Sequence, residues 1–430
     1  MLKRLGRLII IPLLALFTRG IIRKYHPKII MVTGSVGKTS TKNAVALALA
    51  DSYFLRASEK SFNSELGVPF TIIGAHNPWR RPLAWLHVFK QALALLVFLN
   101  HYPKLLVLEV GADRAGDMTR ILRIATPDAV IVTRLPEVPV HVEAYATPQA
   151  VREEEFFPAY ALPPGAPLII SADDARALAM AARVPAHLIT YGFQENAHVR
   201  LMNVRFLLEK ERPIGMQADI LYKEEKGIVT VRGGVGRQQL LPLAAAVASA
   251  AAFDIPLKDA LTALEDYTPA PGRSRIFEGI RNSLIIDDSY NASPAAVEEA
   301  LETIRALPHV TRRIAVLGDM LELGRYSIEE HMHTGKKAAE IADVIIAIGI
   351  RARGIASAAR DAGLPEEAVH IFNTAYEAIP LLSSLVKEND ALLIKGSQNV
   401  RMERITEALL AHEEDSADLP RQDPEWKKIP

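Results

Sequence analysis

The sequence predicts an α/β protein in which a mostly parallel sheet with a small antiparallel meander is followed by a second, Rossmann-like α/β domain. In the first half of the chain, short apolar runs alternate with helix-compatible stretches, as parallel strands with crossover helices do, at residues 29–32, 105–109, 129–133 and 168–170. Residues 199–232 change to three alternating runs separated by short turns, which predicts the antiparallel meander. After the Pro- and Gly-rich stretch YTPAPGR, residues 267–273, the first alternation resumes and predicts a second open sheet.

The central domain is predicted to span residues 28–267. Its first strand runs into a Gly-containing loop and then into a helix that ends near Ala50. An apolar insertion at about residues 76–103 interrupts the strand–helix alternation, and an Ala-rich helix at residues 240–253 follows the meander.

The C-terminal domain is predicted to span residues 268–411, because further apolar runs with strand character alternate with helical stretches there. These runs lie at residues 284–286, 314–317, 344–348, 369–372 and 391–394. The remaining segment, residues 412–430, is acidic and contains proline, so it is predicted to be disordered.

Composition excludes several classes of protein. The chain has 430 residues, which at roughly 150 residues per domain favours two or three domains. Lys plus Arg and Asp plus Glu both total 50, and this balance argues against nucleic-acid binding. The absence of cysteine excludes disulfides, thiolate zinc sites and cysteine nucleophiles.

Two apolar segments do not follow the α/β pattern. The N-terminal segment, residues 1–27, has basic flanks around a run of ten residues, which is too short to span a bilayer as a helix. The second segment, residues 82–99, lies in the insertion and follows Trp79 and two arginines. Three interpretations are open: both are ordinary packed helices, their apolar faces and basic flanks form a peripheral membrane patch, or they include a true membrane span.

A phosphate-binding loop (P-loop) is indicated by TGSVGKTS, residues 33–40, between a strand and a helix. Glycines allow backbone amides to face a polyphosphate, and the start of the helix adds its positive end. Lys38 supplies a positive charge, and the Thr39 hydroxyl is predicted to bind magnesium. The central domain is therefore predicted to bind ATP and Mg²⁺. The predicted nucleotide contacts in the loop are Gly34, Ser35, Val36, Gly37, Lys38, Thr39 and Ser40.

Two further side chains are candidates for the magnesium site. Glu109 ends the strand at residues 105–109, and His141 follows the strand at residues 129–133. The carboxyl ends of parallel strands meet at one edge of a sheet, where ligands bind. A carboxylate is a typical magnesium ligand, whereas a single histidine is more often structural, so both interpretations of His141 are open.

Eight motifs follow one another between about residues 28 and 410: TGSVGKTSTK, FNSELGVPFT, LEVGADRAGDM, PDAVIVT with a downstream His-x-Glu, PAPGR, IIDDSYNASP, VLGDMLELG and IKGSQNVRMER. Together they resemble the Mur ligase family. The resemblance is greatest to the branch that attaches a D-alanyl-D-alanine-like amine in cell-wall peptide synthesis.

The resemblance implies an ADP-forming ligase that uses ATP to phosphorylate a substrate carboxylate, after which an amine attacks the acyl phosphate and an amide forms. It assigns Glu109 and His141 to magnesium, and Lys38, His141 and Arg273 to catalysis. The implied nucleotide contacts beyond the loop are Gln238, Arg273, Asp288 and Asn291. The implied substrate contacts are Asn63, Glu65, Lys395, Gly396, Ser397 and Arg401.

The chain departs from the family at a lysine that is carbamylated in other members and helps to bind a second magnesium. No lysine occurs between Leu105 and Glu209, and alignment of the neighbouring residues places Glu153 at that position. We predict that Glu153, or failing that Glu154, is a permanent catalytic and metal-binding carboxylate in its place. The alternative is that these glutamates form a solvated helix face.

Two other departures affect the substrates. The P-loop begins at residue 33, which leaves too little chain before it for the UDP-binding domain that usually precedes it in the family. Gln238 stands where the family has an asparagine near adenine.

The expected substrates are a small-molecule or lipid-linked precursor and an amine such as an amino acid or dipeptide. The expected location is the cytoplasm, with peripheral contact at the inner face of the membrane if the apolar segments bind lipid. Two alternatives stay open: a ligase or amidating enzyme for another polymer or lipid-linked precursor, and a non-catalytic nucleotide-binding regulatory protein. The sequence does not predict the oligomeric state.

Overall fold

The computed structural model describes residues 2–59, 62–78 and 81–427. Within these residues the strands form two sheets, one of nine strands and one of six. The predicted α/β class, the meander and the second sheet are confirmed.

The first sheet has the strand order β2-β3-β1-β4-β5-β6-β7-β8-β9. Its strands are β1 (Lys28–Thr33), β2 (Leu55–Ala57), β3 (Leu105–Glu109), β4 (Ala129–Val132), β5 (Pro167–Ser171), β6 (His187–Gly192), β7 (Val199–Glu209), β8 (Arg212–Tyr222) and β9 (Glu225–Arg232). The strands from β2 to β7 pair in parallel, whereas β7, β8 and β9 pair antiparallel and form the meander.

Helices cover both faces of this sheet. They are α1 (Leu2–Tyr25), α2 (Lys38–Ala50), α3 (Gly67–Ile73), α4 (Pro82–Val97), α5 (Asp117–Leu122), α6 (Pro148–Tyr160), α7 (Ala175–Ala181), α8 (Leu241–Ala252) and α9 (Leu257–Leu264). Alternate residues of β1 pack on opposite sides: Ile30 lies in a core with residues of α2 and α8, and Met31 in a core with residues of α1 and α3. Burial on both faces explains why β1 is a continuous apolar run.

The second sheet has the order β10-β11-β15-β12-β13-β14, and all its pairs are parallel except β10 with β11. Its strands are β10 (Arg275–Gly279), β11 (Ser283–Asp288), β12 (Arg312–Gly318), β13 (Val344–Ile348), β14 (Val369–Phe372) and β15 (Asp390–Lys395). The helices that accompany them are α10 (Pro294–Ala306), α11 (Ser327–Ala339), α12 (Arg353–Asp361), α13 (Ala375–Leu385), α14 (Glu403–Leu409) and α15 (Pro424–Lys427).

The two apolar segments form helices α1 and α4, which lie against each other. Phe17 is 6.1 Å from Phe89 between ring centroids, and the Lys24 ammonium donates to the carbonyls of Leu95 and Leu96 at 2.9 and 3.0 Å. No helix among the described residues is long and apolar enough to cross a bilayer. Trp79 and Arg80, which precede the second segment, lie outside the described residues.

The prediction that residues 412–430 are disordered is wrong for the part that the structure describes, which ends at residue 427. Arg421 is buried and contacts Glu403 at 3.0 Å, and its guanidinium donates to the carbonyls of Ser289 and Tyr290. Composition predicted disorder because the segment is acidic, but the buried side chains of Arg421 and Leu419 and the ion pair of Asp418 with Arg275 attach it to the C-terminal domain. Residues 428–430 lie outside the described residues.

Candidate active site

The P-loop joins β1 to α2 and lies at the carboxyl edge of the first sheet. Gly34 has a φ of 118° and Gly37 a φ of 89°, both in the region that favours glycine. A Cβ on Gly34 would stand 2.3 Å from the Thr133 hydroxyl and 3.1 Å from the Thr133 amide nitrogen. The Lys38 ammonium donates to the carbonyls of Gly34 and Ser35. The loop thus brings the Lys38 ammonium close to the amino end of α2, a 13-residue helix. Both attract the negative charge of a polyphosphate.

Glu109 lies beside this loop, because β3 pairs with β1 and places Glu109 opposite Val32. The side chain is 1% exposed, and its Oε2 atom is buried without a hydrogen-bond partner in the described part of the chain. Its Oε1 atom lies 3.5 Å from the Asn63 amide nitrogen, so Asn63 stands beside Glu109, and its contact with a substrate stays a prediction. An unpaired carboxylate oxygen at this depth is costly unless a cation binds it. This observation fits a magnesium site.

Lys42 is a second cation near Glu109. Burial lowers the pKa of Lys42, and the negative charge of Glu109 opposes that shift. Its ammonium donates to the Ser58 carbonyl. The prediction did not include Lys42. Its position one turn after Lys38 in the same helix could have indicated that it lies near the site.

His141 links the two halves of the chain. It has a φ of 65°, its Nδ1 lies 2.8 Å from Glu322 Oε2, and its Nε2 lies 3.7 Å from Asp113 Oδ1. Burial alone would lower the pKa of His141, but the hydrogen bond and charge of Glu322 together with the charge of Asp113 raise it overall. The same hydrogen bond lowers the pKa of Glu322. With Nδ1 bonded to Glu322, Nε2 is the nitrogen left to bind a metal.

The three consecutive glutamates of α6 point in different directions. Glu153 accepts hydrogen bonds from Gln149, Tyr160 and Arg183, and its side chain is 36% exposed. The Glu154 carboxylate accepts from the amides of Gly116 and Met118, at the start of α5.

Glu155 is the glutamate of α6 that faces the P-loop. It is 1% exposed and accepts a hydrogen bond from the Ser35 hydroxyl, while its backbone carbonyl accepts from Thr33 at 2.5 Å. Burial raises the pKa of Glu155, and the positive charge of Lys38 opposes that shift. The prediction for Glu153 and its substitute Glu154 is therefore wrong in position: successive helical residues are about 100° apart, so only one of the three can face inward.

A cavity of about 900 Å³ lies between the halves of the chain and contains most of the predicted nucleotide contacts. The lining residues from the P-loop are Ser35, Val36, Gly37, Thr39 and Ser40, and those from elsewhere in the prediction are Gln238, Arg273, Asp288, Asn291 and Lys395. The Arg273 guanidinium stacks on the Tyr290 ring at 4.1 Å. Gln238 contacts the Thr303 hydroxyl at 3.3 Å across the cavity.

Lys395 and Arg401, predicted as amine-substrate contacts, have other partners in the structure. The Lys395 ammonium is buried and donates to the Asp288 carboxylate at 2.6 Å, so it belongs to the nucleotide cavity. Arg401 is also buried, and its guanidinium contacts Glu403 at 2.6 Å. Each of these buried cations has a carboxylate partner from its own domain, and their contact with an amine substrate stays a prediction.

The remaining predicted substrate contacts, Glu65, Gly396 and Ser397, lie in turns and loops. The Ser397 hydroxyl accepts from the Leu321 amide at 2.8 Å. Gly396 packs so closely that a Cβ would stand 2.7 Å from the Met402 side chain. Glu65 forms an ion pair of 3.0 Å with Arg120. The structure neither adds these residues to the cavity lining nor tests their contact with a substrate.

Ion pairs and hydrogen bonds join the two halves around the cavity. Arg134, next to the P-loop, pairs with Glu299 of α10, and burial raises the pKa of Glu299. Gly324, at a φ of 52°, approaches Glu143 so closely that a Cβ would stand 2.9 Å from the Glu143 Cβ. Together with the His141 contact to Glu322, these contacts bring residues of both domains into one site. Within the described residues, no group of three or more acidic or histidine side chains is gathered as a metal site.

Profiles of two protein domain families match this chain and identify its family. The profile of the Mur ligase middle domain matches residues 32–250, and that of the Mur ligase glutamate ligase domain matches residues 272–398. The chain belongs to the Mur ligase family. Mur ligases are ATP-dependent, ADP-forming enzymes that use Mg²⁺, so the predicted family, activity class and cofactors are confirmed.

Curated relatives of this Mur ligase include two UDP-N-acetylmuramoyl-tripeptide–D-alanyl-D-alanine ligases. The Bacillus subtilis enzyme is 23% identical over 393 residues, which cover 91% of this chain and 78% of the relative. The Mycobacterium tuberculosis enzyme is 27% identical over 405 residues, which cover 89% of this chain and 73% of the relative.

Solved structures support the fold. The MurF ligase from Thermotoga maritima in complex with ADP superposes with a TM-score of 0.75 at 23% identity, and covers 94% of this chain and 84% of that one. Mycobacterium tuberculosis folylpolyglutamate synthase complexed with ADP superposes with a TM-score of 0.64 at 14% identity, and covers 92% and 94%.

Sequence reasoning missed four residues of this site: Lys42, Glu155, Tyr290 and Glu322. Glu155 could have been found from the apolar spacing of α6, where Val151, Phe156 and Ala159 share the inward face. Tyr290 lies inside the motif DDSYN, and Glu322 inside DMLELG. No local pattern in the sequence indicates that Glu322 meets His141, which is far away along the chain.

Proposed function

We propose that this Mur ligase forms a peptide bond between the carboxylate of a muramoyl-tripeptide precursor and the amine of D-alanyl-D-alanine. The observation that carries the proposal is the shared cavity, in which the P-loop of one domain faces Arg273, Asp288 and Lys395 of the other. The names and coverage of the curated relatives support the choice of substrates.

The reaction requires that two anions approach each other. A carboxylate oxygen of the precursor attacks the γ-phosphorus of ATP, the bond to the β-phosphate oxygen breaks, and ADP leaves. The amine nitrogen then attacks the acyl carbon, loses a proton, and expels inorganic phosphate. Lys38 and Arg273 supply the positive charge that offsets the repulsion between the anionic groups.

Magnesium is assigned to Glu109, His141 and Thr39, and supplies Lewis-acid stabilisation of phosphate oxygens when it is bound. The unpaired buried oxygen of Glu109 supports this assignment. Asn63 keeps the Glu109 carboxylate oriented through its amide. Glu322 fixes the ring of His141 by accepting from Nδ1, so that Nε2 carries the lone pair.

Glu155 is proposed as a positioning residue for the P-loop. Its carboxylate holds the Ser35 side chain and lies in the field of Lys38, whereas Glu153 and Glu154 serve other partners. Because the chain has no lysine between Leu105 and Glu209, the site cannot be carbamylated from that stretch. A permanent carboxylate on α6 is therefore present without carbon dioxide.

Ligation by the purified protein tests the proposal directly. ATP, Mg²⁺, a UDP-muramoyl-tripeptide and D-alanyl-D-alanine are combined, and ADP and the amide product are measured by mass spectrometry. ADP release that needs both the carboxylate and the amine is expected, and Lys38→Met abolishes it while Lys104→Met, an exposed lysine outside the cavity, does not. Nucleotide binding without turnover over the whole substrate panel would instead support a regulatory protein.

The same assay identifies the carboxylate that this ligase uses. The panel also includes a lipid-linked muramoyl-peptide and a folate or other polyglutamate acceptor. A carboxylate is the only group that the reaction requires of the acceptor. The proposed use of ATP and of such precursors supports a cytoplasmic location for the enzyme. A product with the lipid-linked acceptor alone would identify a ligase that works at the membrane surface.

A further inference from the structure

One face of α4 carries a continuous line of exposed apolar side chains. Leu83, Leu86, Leu93 and Val97 follow one another at spacings of three, seven and four residues and share one side of the helix, and we call them the apolar stripe. Their exposed fractions range from 53% for Leu93 to 80% for Leu83. A surface helix normally turns such residues toward the core, so this stripe lacks a partner in the described structure.

The opposite face of α4 is packed, which shows that the helix is held in a defined orientation. Val88 and Ala92 are buried with residues of α1 and α3. The carbonyls at the end of α4 are bound by the Lys24 ammonium and the Tyr25 hydroxyl. Because the opposite face of α4 is packed in this way, the apolar stripe faces outward.

Two neighbouring regions extend the apolar surface. Phe98 and Leu99 follow α4 and are 64% and 94% exposed. Leu16, on the adjacent α1, is 60% exposed. Two pieces of chain, residues 83–99 and Leu16 of α1, thus expose large apolar side chains.

The charges around this surface are of one sign. Residues 1–50 and 66–108 contain no Asp or Glu, and their charged side chains are lysines and arginines. Lys90 lies within the apolar stripe, and Arg19 and Arg23 are exposed on α1. The whole chain is nevertheless neutral, with 50 basic and 50 acidic residues, so the net positive charge of these two ranges comes from the lack of acidic residues in them and is offset elsewhere in the chain.

We propose that the apolar stripe, with Phe98, Leu99 and Leu16, docks on the surface of a bilayer that contains anionic phospholipids. Apolar side chains enter the boundary between headgroups and acyl chains, while the long stems of Lys90, Arg19 and Arg23 let their charges reach the phosphates. The lack of Asp and Glu in residues 1–50 and 66–108 favours a lipid surface, because α1 and α4 then present only cations to anionic headgroups. Membrane binding by this face does not depend on the substrates proposed above.

Flotation of the purified full-length protein with vesicles tests this inference. Vesicles of phosphatidylcholine with phosphatidylglycerol are expected to carry the protein upward at low salt, and high salt is expected to weaken the binding because it screens the cations. Leu86→Glu combined with Leu93→Glu is expected to lower the partition coefficient at least about tenfold. Lys90→Gln is expected to lower it about fivefold, and only with the anionic vesicles.

A matched control changes the same kind of side chain elsewhere. Ile328 and Ile350 of the C-terminal domain are both 77% exposed, so Ile328→Glu combined with Ile350→Glu adds the same charge without touching α4. This variant is expected to float like the wild type. Phe98→Ser with Leu99→Ser, outside the helix, gives a second test if the first pair unfolds the protein.

Two results would overturn the inference. In one, the wild type fails to float with any vesicle, or the stripe variant floats as well as its control. In the other, light scattering shows that the wild type is a dimer that Leu86→Glu with Leu93→Glu dissociates, which would assign the face to a second copy of the chain. Ligation in vesicle-free solution is measured separately, so that loss of membrane binding and loss of the proposed activity are told apart.

Discussion

Replacement of Glu155 by glutamine separates the role of its charge from the role of its shape. The carboxylate is 1% exposed, accepts from the Ser35 hydroxyl and lies in the field of Lys38. Glutamine keeps the size and an acceptor oxygen but removes the negative charge. The P-loop then loses a charged hydrogen-bond acceptor while the surrounding packing of α6 is retained.

The size of the effect follows from this contact. A hydrogen bond to a charged group contributes about 1.5–3 kcal/mol and a neutral one about 1 kcal/mol, so Glu155→Gln should lower kcat/KM for ATP about 2- to 30-fold. Glu155→Ala leaves the Ser35 hydroxyl without its acceptor and should lower kcat/KM by about 10- to 100-fold.

Thermal stability should change in the other direction. Burial raises the pKa of Glu155, so the folded state binds its proton more tightly than the unfolded chain does. The stability that this gives at low pH is lost as the pH rises through the raised pKa. At pH 8 the Gln variant should therefore unfold at the same temperature as the wild type or a higher one.

The assay is ADP release with the full set of substrates, together with thermal unfolding at pH 5 and pH 8. Glu153→Gln is the matched control, because that side chain is two residues away on the same helix and bonds to Arg183 and Tyr160 instead. Its kcat/KM should stay within about twofold of the wild type. Normal ATP turnover in Glu155→Gln, or a larger loss in Glu153→Gln, would refute the assignment of Glu155.

Three further predictions concern the P-loop and the C-terminal domain. Gly34→Ala should weaken ATP binding by at least about tenfold in calorimetry, because its φ is 118° and the new Cβ would meet Thr133; Gly165→Ala, at a φ of 78° with open space around it, is the control and should leave ATP binding unchanged. Arg273→Ala should lower kcat by about 100-fold, with little change in melting temperature, if its guanidinium binds the transferred phosphate; an unchanged kcat would contradict that role. Burial raises the pKa of Asp287 from 3.8 to about 6, so the stability that this shift gives below pH 4 is lost as the pH rises through 6. Asp287→Asn should remove most of that loss, which is about 3 kcal/mol, and denaturant unfolding between pH 4 and pH 8 measures it.

Much of the fold was predictable because parallel strands buried on both faces are continuous apolar runs. β3, β4 and β5 were found in this way, and so was the meander, because its strands are longer and alternate. β2 escaped prediction because it has three residues, and β10 because it is polar at Arg275 and Glu278. Strands this short or this polar are defined by the neighbours with which they pair, and a single sequence does not show those neighbours.

The P-loop and Glu109 were predictable because their chemistry depends on local order along the chain. Glu153 was not, because an alignment that is correct to one or two residues does not fix the rotation of a helix. A shift of two residues turns a side chain by about 200° around the helix axis, which separates the outward Glu153 from the inward Glu155. Contacts between the domains, such as His141 with Glu322, depend on how two sheets approach each other and leave no trace in local spacing.

Arg421 gives the last part of the chain an importance that its composition conceals. It neutralises Glu403 and holds the backbone carbonyls of Ser289 and Tyr290, and Tyr290 in turn supports Arg273. A protease that cuts between residues 411 and 419 would remove this support and inactivate the ligase, although every residue that lines the cavity would remain in the main fragment. The intact mass of a preparation therefore shows whether a low activity comes from cleavage of this segment or from use of a wrong substrate.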